Sequence, residues 1–518
     1  MTTGTHSVAA SGVRSGLRGR RVPGAVLAAT AAVALGASAC SGGTGPMAGE
    51  AGRASTTTTQ ARPPGPVADL SHEISGGNGP FAGEQAATGL AGAGYVEHEY
   101  VAAGTAVSYR PTGPLTGDGR WSLVPDGSAP YRTRVLVRRP GPGTPSSGTV
   151  VVEWLNVSGS VDADPEYTSL REELIRQGDT WVGVSAQLIG VAGGPALVTV
   201  PGAETVVGKG LVRIDPARYG TLVHPGDGFS FDMFTQVARA LRAGGTAMGG
   251  RGPQRLIAAG ESQSAIALTT YIDGVEPLTR VFDGFYVHSR AAGPLPLVGP
   301  GAYADLAGSV GRTPTIFRTD TGVPILDIQA ESDVTGVLDS SLARQSDSAH
   351  VRLWEVAGTS HADAHLMGPI ARNLHCGAAI NNGPMHLVAK AALHALDRWI
   401  RTGTPPPIAP RIQLAPGTTP RILRDADGIA LGGIRTPPVD VPVDVLSGVP
   451  GPDPALICIL LGSTTPLPPA RLAARYASRS DYEGRYGAAT AATIAAGYVL
   501  TPDLPALFGF AAPSRVAG

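Results

Sequence analysis

The sequence predicts an α/β domain, with a mostly parallel central sheet covered by helices on both faces. Three observations carry this prediction. Short strand-like apolar runs alternate with helical runs between residues 149 and 400, the pattern of a sheet wrapped by crossover helices. One run, Thr149–Asn156, is apolar almost throughout, as in a strand buried on both faces. Residues Leu256–Ala265 pass from an apolar strand through a tight small-residue turn into a helix.

The N-terminus is read apart from the fold. Arg14, Arg18, Arg20 and Arg21 precede an uncharged Ala-, Val- and Leu-rich stretch from Val22 to Ala39, the layout of a secretory signal. A retained membrane anchor is the alternative, but the stretch contains Pro23 and is short for a span. Arg20-Arg21 is followed by residues that fit a twin-arginine signal poorly. Cys40 follows the small residues Ala37, Ser38 and Ala39, as a bacterial lipoprotein cysteine does, although Ala37 stands where Leu is usual. Residues 1–40 are therefore expected to be a signal peptide that directs export, with Cys40 a candidate for lipidation and membrane attachment. Residues 41–66 are Gly, Ser, Thr, Pro and Ala in the main and read as a disordered linker. Residues 67–518 read as the folded part.

Within it, Tyr95–Tyr109 and Tyr131–Arg138 alternate like strands. Thr149–Asn156 follows, then a helical run Glu166–Gln177 that stops before Gly178, then the strand Thr180–Ser185. Residues 188–228 are rich in Gly and Pro without a clear period and read as an insertion. Phe229–Leu241 places Met233, Val237 and Leu241 on one helical face. A strand at Arg255–Ala259 leads to a helix at Gln263–Tyr271, and Asp283–His288 is the next strand. A second insertion spans about 289–322. Strands at Pro324–Ala330 and Val351–Val356 and a helix at Gly383–Ile400 complete the alternation. The proline-rich tail from 403, with a helical piece near 469–476, reads as a C-terminal extension packed on the same domain. Trp154, Trp181, Trp354 and Trp399 sit inside apolar elements and read as core.

Apolar residues make up 42% of the chain, enough for a sizeable core, and the formal net charge of −1 gives no field that would draw nucleic acid. Of the three cysteines, Cys376 and Cys458 remain once Cys40 is lipidated or removed. In an oxidising compartment they are a candidate disulfide; two buried free thiols are the alternative.

The sharpest chemical signal is Gly260-Glu261-Ser262-Gln263-Ser264 between a strand and a helix. Small residues two positions either side let Ser262 sit on a strained elbow with its hydroxyl lifted above the sheet, and the N–H of Gln263 then faces an oxyanion. An N-cap serine without further role is the plain alternative. A serine nucleophile needs a histidine base and an acid that fixes the base's tautomer. Both follow in order. Glu331 and Asp333 end the strand that begins at Pro324, and His361 follows the strand Val351–Val356. Asp333 is favoured as the acid, with Glu331 the alternative. The loop after Thr149–Asn156 should hold a second oxyanion donor, taken as the N–H of Val157. Glu153 and Glu261 face either the pocket or Arg290.

These residues resemble the α/β-hydrolase superfamily. Glu355–Asp363, Asn382-Gly383-Pro384 and Gly432–Pro437 further resemble a bacterial group of alpha/beta hydrolase domain-containing proteins, over roughly residues 67–515. The resemblance implies the α/β-hydrolase fold with cap insertions, and an esterase- or lipase-like serine hydrolase acting through an acyl-enzyme on a small-molecule or lipid ester. No cofactor is implied. An acyltransferase with the same triad is one rival, and a non-catalytic surface lipoprotein that binds a ligand is another. His361 and His365 are four residues apart, but no Glu follows His361 as a metalloprotease helix requires, so no metal is expected. Gly244–Gly250 joins a helix to a strand, the reverse of a dinucleotide fingerprint.

Overall fold

The computed structural model describes residues 62–83, 89–310 and 313–517. Both the signal and most of the linker lie outside the described residues, as does Cys40.

Nine strands form one sheet: β1 (Asp69–Glu73), β2 (Tyr95–Pro111), β3 (Leu123–Pro140), β4 (Thr149–Trp154), β5 (Thr180–Val184), β6 (Arg255–Glu261), β7 (Gly284–His288), β8 (Ile325–Ala330) and β9 (Val351–Val356). Their spatial order is β1-β2-β3-β5-β4-β6-β7-β8-β9. The first three pair antiparallel, β3 meets β5 antiparallel, and every junction from β5 to β9 is parallel. All residues of β4, β5, β7, β8 and β9 are buried, which is why these strands read as mainly apolar runs, interrupted by polar residues such as Glu153, Asp327 and Glu355.

Alternate side chains of each strand supply two cores. On one face Val150, Val152 and Trp154 pack with the helices Ser230–Ala243 and Gln263–Thr270. On the other Val151 and Leu155 pack with the helices Pro165–Gln177 and Met385–Thr402. The four tryptophans expected in the core are all buried. Strand order reverses between β4 and β6, so a crevice opens beyond their C-terminal ends, where ligands gather in open parallel sheets.

The insertion 188–228 holds short helices at Leu188–Ala192, Gly210–Ile214 and Pro216–Tyr219. The second, 289–322, includes the helix Leu306–Val310. The tail adds a two-stranded sheet, Asp444–Ser447 with Ser463–Pro466, and a long helix, Arg479–Ala495.

Cys376 and Cys458 are joined by a disulfide across 82 residues. It ties the segment behind His361 to the tail helix Leu456–Leu460. Cross-linking a loop of this length restrains the unfolded chain by about 2–5 kcal/mol. Reductant is therefore expected to lower the melting temperature, and a Cys376→Ser variant to melt lower and lose its response to reductant. Melting that is indifferent to reductant in the native protein would contradict this.

Candidate active site

The site is built at the ends of β6, β8 and β9. Ser262 follows β6 with φ 58° and ψ −119°, a backbone conformation that a residue with a side chain adopts at a cost of roughly 1–3 kcal/mol. Its N–H donates to the His288 carbonyl at 2.9 Å, and its own carbonyl accepts from Ile266 at 3.0 Å, so β7 and the following helix hold the turn. A Cβ on Gly260 would meet the Ser264 carbonyl carbon at 3.0 Å and Leu268 at 3.1 Å, which explains the glycine. Ser264 fills its position with a purpose: its hydroxyl accepts from the Glu261 N–H at 3.1 Å and donates to the Glu261 carbonyl at 2.7 Å. The elbow is thus braced by a side chain that glycine lacks.

His361 Nε2 lies 2.8 Å from Ser262 Oγ, and its Nδ1 lies 2.8 Å from Asp333 Oδ1. Asp333 Oδ2 accepts from the Ser289 hydroxyl at 2.6 Å and the Ala330 N–H at 2.7 Å, so both carboxylate oxygens are fixed. Burial works against charge on His361, but the carboxylates of Asp333 and Glu261 outweigh it and hold the imidazole above its ordinary value. Of the two acids left open by the sequence, Asp333 is the one that reaches His361. Glu331 turns the other way. It accepts from the N–H groups of Gly358 at 2.7 Å and Gly448 at 2.8 Å, and pairs with Arg424 at 2.7 Å. It ties the histidine loop to the tail.

The three segments that carried the bacterial resemblance converge on this loop. Ile434 pairs with Val356, and its N–H donates to the Glu355 carbonyl at 2.7 Å. Gly433 lies where a Cβ would meet the Glu355 carbonyl at 3.0 Å. Asn381, next to Asn382, donates through Nδ2 to the carbonyls of Gly358 at 3.1 Å and Ser447 at 3.0 Å. Gly358 itself has φ 72°, and a side chain there would strike Val439.

The two expected oxyanion donors are brought together, with a complication. Gln263 opens its helix, so its N–H is one of the donors that a helix start leaves without an intrahelical acceptor. The N–H of Val157, however, already donates to Gln263 Oε1 at 3.1 Å. Gln263 is in turn bonded to Gln187, whose Oε1 also accepts from the Trp154 indole at 3.0 Å. Gln263 Oε1 therefore stands where an oxyanion would compete for the Val157 N–H. A backbone donor leaves no mark in the sequence, so neither this bond nor its occupancy was readable there.

Glu261 and Glu153 have separate fates, and neither pairs with Arg290, which bonds Asp327 at 3.0 Å instead. Glu153 accepts from the N–H groups of Glu166 and Tyr167, each at 3.0 Å, and from the Trp181 indole at 2.7 Å. It caps the helix Pro165–Gln177 from beneath and does not line the pocket. Glu261 does line it, with a carboxylate oxygen 3.5 Å from His361 Nε2. Burial raises its carboxyl to about 7, partly offset by His361 and His288 and reinforced by Glu166 and Asp333. His288, in register with Glu261 across β6 and β7, stands 3.5 Å from Glu166. Burial opposes its charge, yet Glu166 and Glu261 push it up to about 9. The sequence showed His288 only as the end of a strand. His365 stacks flat on His386, ring centres 3.7 Å apart, and does not join His361.

A cavity of about 230 Å³ opens over Ser262 and His361. Both insertions contribute walls, through Val198 and Val207 from the first and Leu306 from the second.

The sequence profile of a family described as "Alpha/beta hydrolase domain" matches residues 62–508. The chain belongs to this family. Solved structures similar to this alpha/beta hydrolase domain include a serine hydrolase without lid from Xanthomonas campestris, at 17% identity and TM-score 0.29, covering 58% of this chain and 94% of the other. A putative dienelactone hydrolase from Klebsiella pneumoniae is 12% identical at TM-score 0.30, covering 60% and 99%. A fungal esterase from Rhizomucor miehei is 12% identical at TM-score 0.31, covering 60% and 85%. No curated protein matches the chain.

Proposed function

We propose that this alpha/beta hydrolase domain is an exported serine hydrolase that cleaves carboxylic esters through an acyl-enzyme on Ser262. The observation that carries the reading is the unbroken line from Asp333 through His361 to Ser262, with 2.8 Å on either side of the imidazole. Export rests on the basic-then-apolar N-terminus.

In this reading Ser262 Oγ attacks the ester carbonyl while His361 Nε2 takes its proton. Asp333 holds Nδ1–H, fixes the tautomer and stabilises the imidazolium. The tetrahedral oxyanion rests on the Gln263 N–H. On collapse the C–O bond to the alcohol breaks and His361 returns the proton to the leaving oxygen. Water then attacks the acyl-enzyme by the same base and restores Ser262. A binding module has no need of all three groups. The test is a fluorophosphonate probe. Stoichiometric labelling that maps to Ser262 and extinguishes p-nitrophenyl ester turnover is expected; a protein that neither labels nor turns over any ester would refute the reading.

The pH profile offers a separate check. His361 must be neutral to act as base, so kcat/KM rises with pH through the imidazole's raised value. Glu261→Gln removes a negative neighbour of Nε2 and so disfavours the imidazolium. The acid limb of kcat/KM is expected to move to lower pH in that variant. An unmoved limb, or one moved to higher pH, would show that Glu261 does not act on His361.

A further inference from the structure

The lining of the cavity over Ser262 speaks to the substrate. Its walls are aliphatic from five separate stretches of chain, with Val198, Val207, Leu306, Leu338, Met367 and Leu460 among them. Among the described residues, none of those lining it is Lys or Arg, none is aromatic, and Glu261 and His361 are the ionisable ones. An anionic substrate group would find no cation and one acid. An aromatic acyl group would find no ring to pair with. A polyhydroxylated one would leave most of its hydroxyls without partners against aliphatic walls.

The two sides of Ser262 can be told apart. The N–H groups of Leu197 and Val198 donate to the Ser158 carbonyl at 2.9 and 3.0 Å, so the first insertion stands by the loop after β4. The Ala362 N–H donates to the Leu460 carbonyl at 3.1 Å, so the disulfide-held tail helix stands by His361. His361 protonates the leaving alcohol, which places the alcohol on the tail side and the acyl chain against the first insertion. An apolar cavity of about 150 Å³ is enough for a guest the size of benzene, so 230 Å³ is far more than an acetyl group fills.

Building on the hydrolase reading, we infer that the substrate is an ester of an uncharged aliphatic carboxylic acid of medium or greater chain length, whose chain lies against residues 197–207. Each methylene buried there adds about a fourfold gain in kcat/KM until the cavity is full.

The experiment compares p-nitrophenyl esters from acetate to dodecanoate, and the hexanoate with the mono-p-nitrophenyl ester of adipic acid, which ends in a carboxylate. Rising kcat/KM from acetate to at least hexanoate is expected, with the adipate at least tenfold poorer than the hexanoate. Ala203 lines the same wall and is half-buried. Ala203→Trp is expected to lower the ratio of octanoate to acetate kcat/KM more than tenfold. Fluorophosphonate labelling of each variant reports that the site is folded. A labelled protein whose rates are flat or fall with chain length, or that prefers the adipate, would overturn the aliphatic assignment and leave the hydrolase reading standing. Absence of labelling and of turnover on every ester would overturn both.

Discussion

Ser262→Ala should lower ester turnover by about 10⁶-fold, the scale of removing the nucleophile from an acyl-transfer triad, and should abolish fluorophosphonate labelling. The variant keeps the fold. Alanine has a Cβ, so the strained φ of 58° persists, and no hydrogen bond other than that to His361 involves the lost hydroxyl among the described residues. The lost rate is then chemical. Ser262→Gly is the companion variant: it is equally inactive, but glycine adopts this backbone without penalty. It should melt above Ser262→Ala despite glycine's greater unfolded-state freedom if the elbow strain is the larger effect. Matched circular dichroism with steady-state rates checks both points. Substantial turnover in either variant would mean that Ser262 is not the nucleophile.

The second large effect separates the two acids. Asp333→Asn should lower kcat by about 10⁴-fold, because an amide facing Nδ1 favours the wrong imidazole tautomer. The amide oxygen still accepts from the Ser289 hydroxyl and the Ala330 N–H, so stability should change little. Glu331→Gln should do the reverse. It touches neither His361 nor Ser262, and it loses the charge that pairs with Arg424, for about 1–3 kcal/mol of stability. Residual activity near wild type below the melting transition is expected. If Glu331→Gln is catalytically dead while folded, and Asp333→Asn is active, the acid is misassigned.

The sequence made the middle of the sheet legible because parallel strands are buried on both faces and leave mainly apolar runs, as at Val150–Trp154 and Ile325–Ala330, despite Glu153, Asp327 and Gln329 within them. It left β1 unread. That strand is short, lies at the edge and is largely exposed, so its residues follow no apolar pattern. The helix Arg479–Ala495 escaped for a related reason: its buried positions are Tyr482, Tyr486, Thr490 and Thr493 in an Ala-rich stretch, too weak a stripe to stand out. The order serine, acid, histidine was legible; Asp333 could only be favoured over Glu331, since two carboxylates end the same strand and side-chain direction divides them. Glu153 shows the opposite limit. A buried acid in a strand suggested a pocket, and its real partners are backbone N–H groups of a helix that the linear chain gives no reason to place above it.

The histidine loop has its support on the outside. The tail grips it through Arg424, Gly448 and Ile434, and its Ile412, Ile429, Val439 and Leu446 form a small apolar cluster with Ala357 of the loop itself, while Ala409, Ile434, Val499 and Leu507 join the core beside the helix Met385–Thr402. A loosely held segment at the edge of a domain can open while the sheet stays intact. The tail is therefore expected to work as a latch on His361: mild denaturant should end ester turnover before the circular dichroism of the sheet is lost. Trimming the chain after the helix Met385–Thr402 would strip Arg424, Ile434 and Gly448 from the histidine loop, and loss of ester turnover is the expected result.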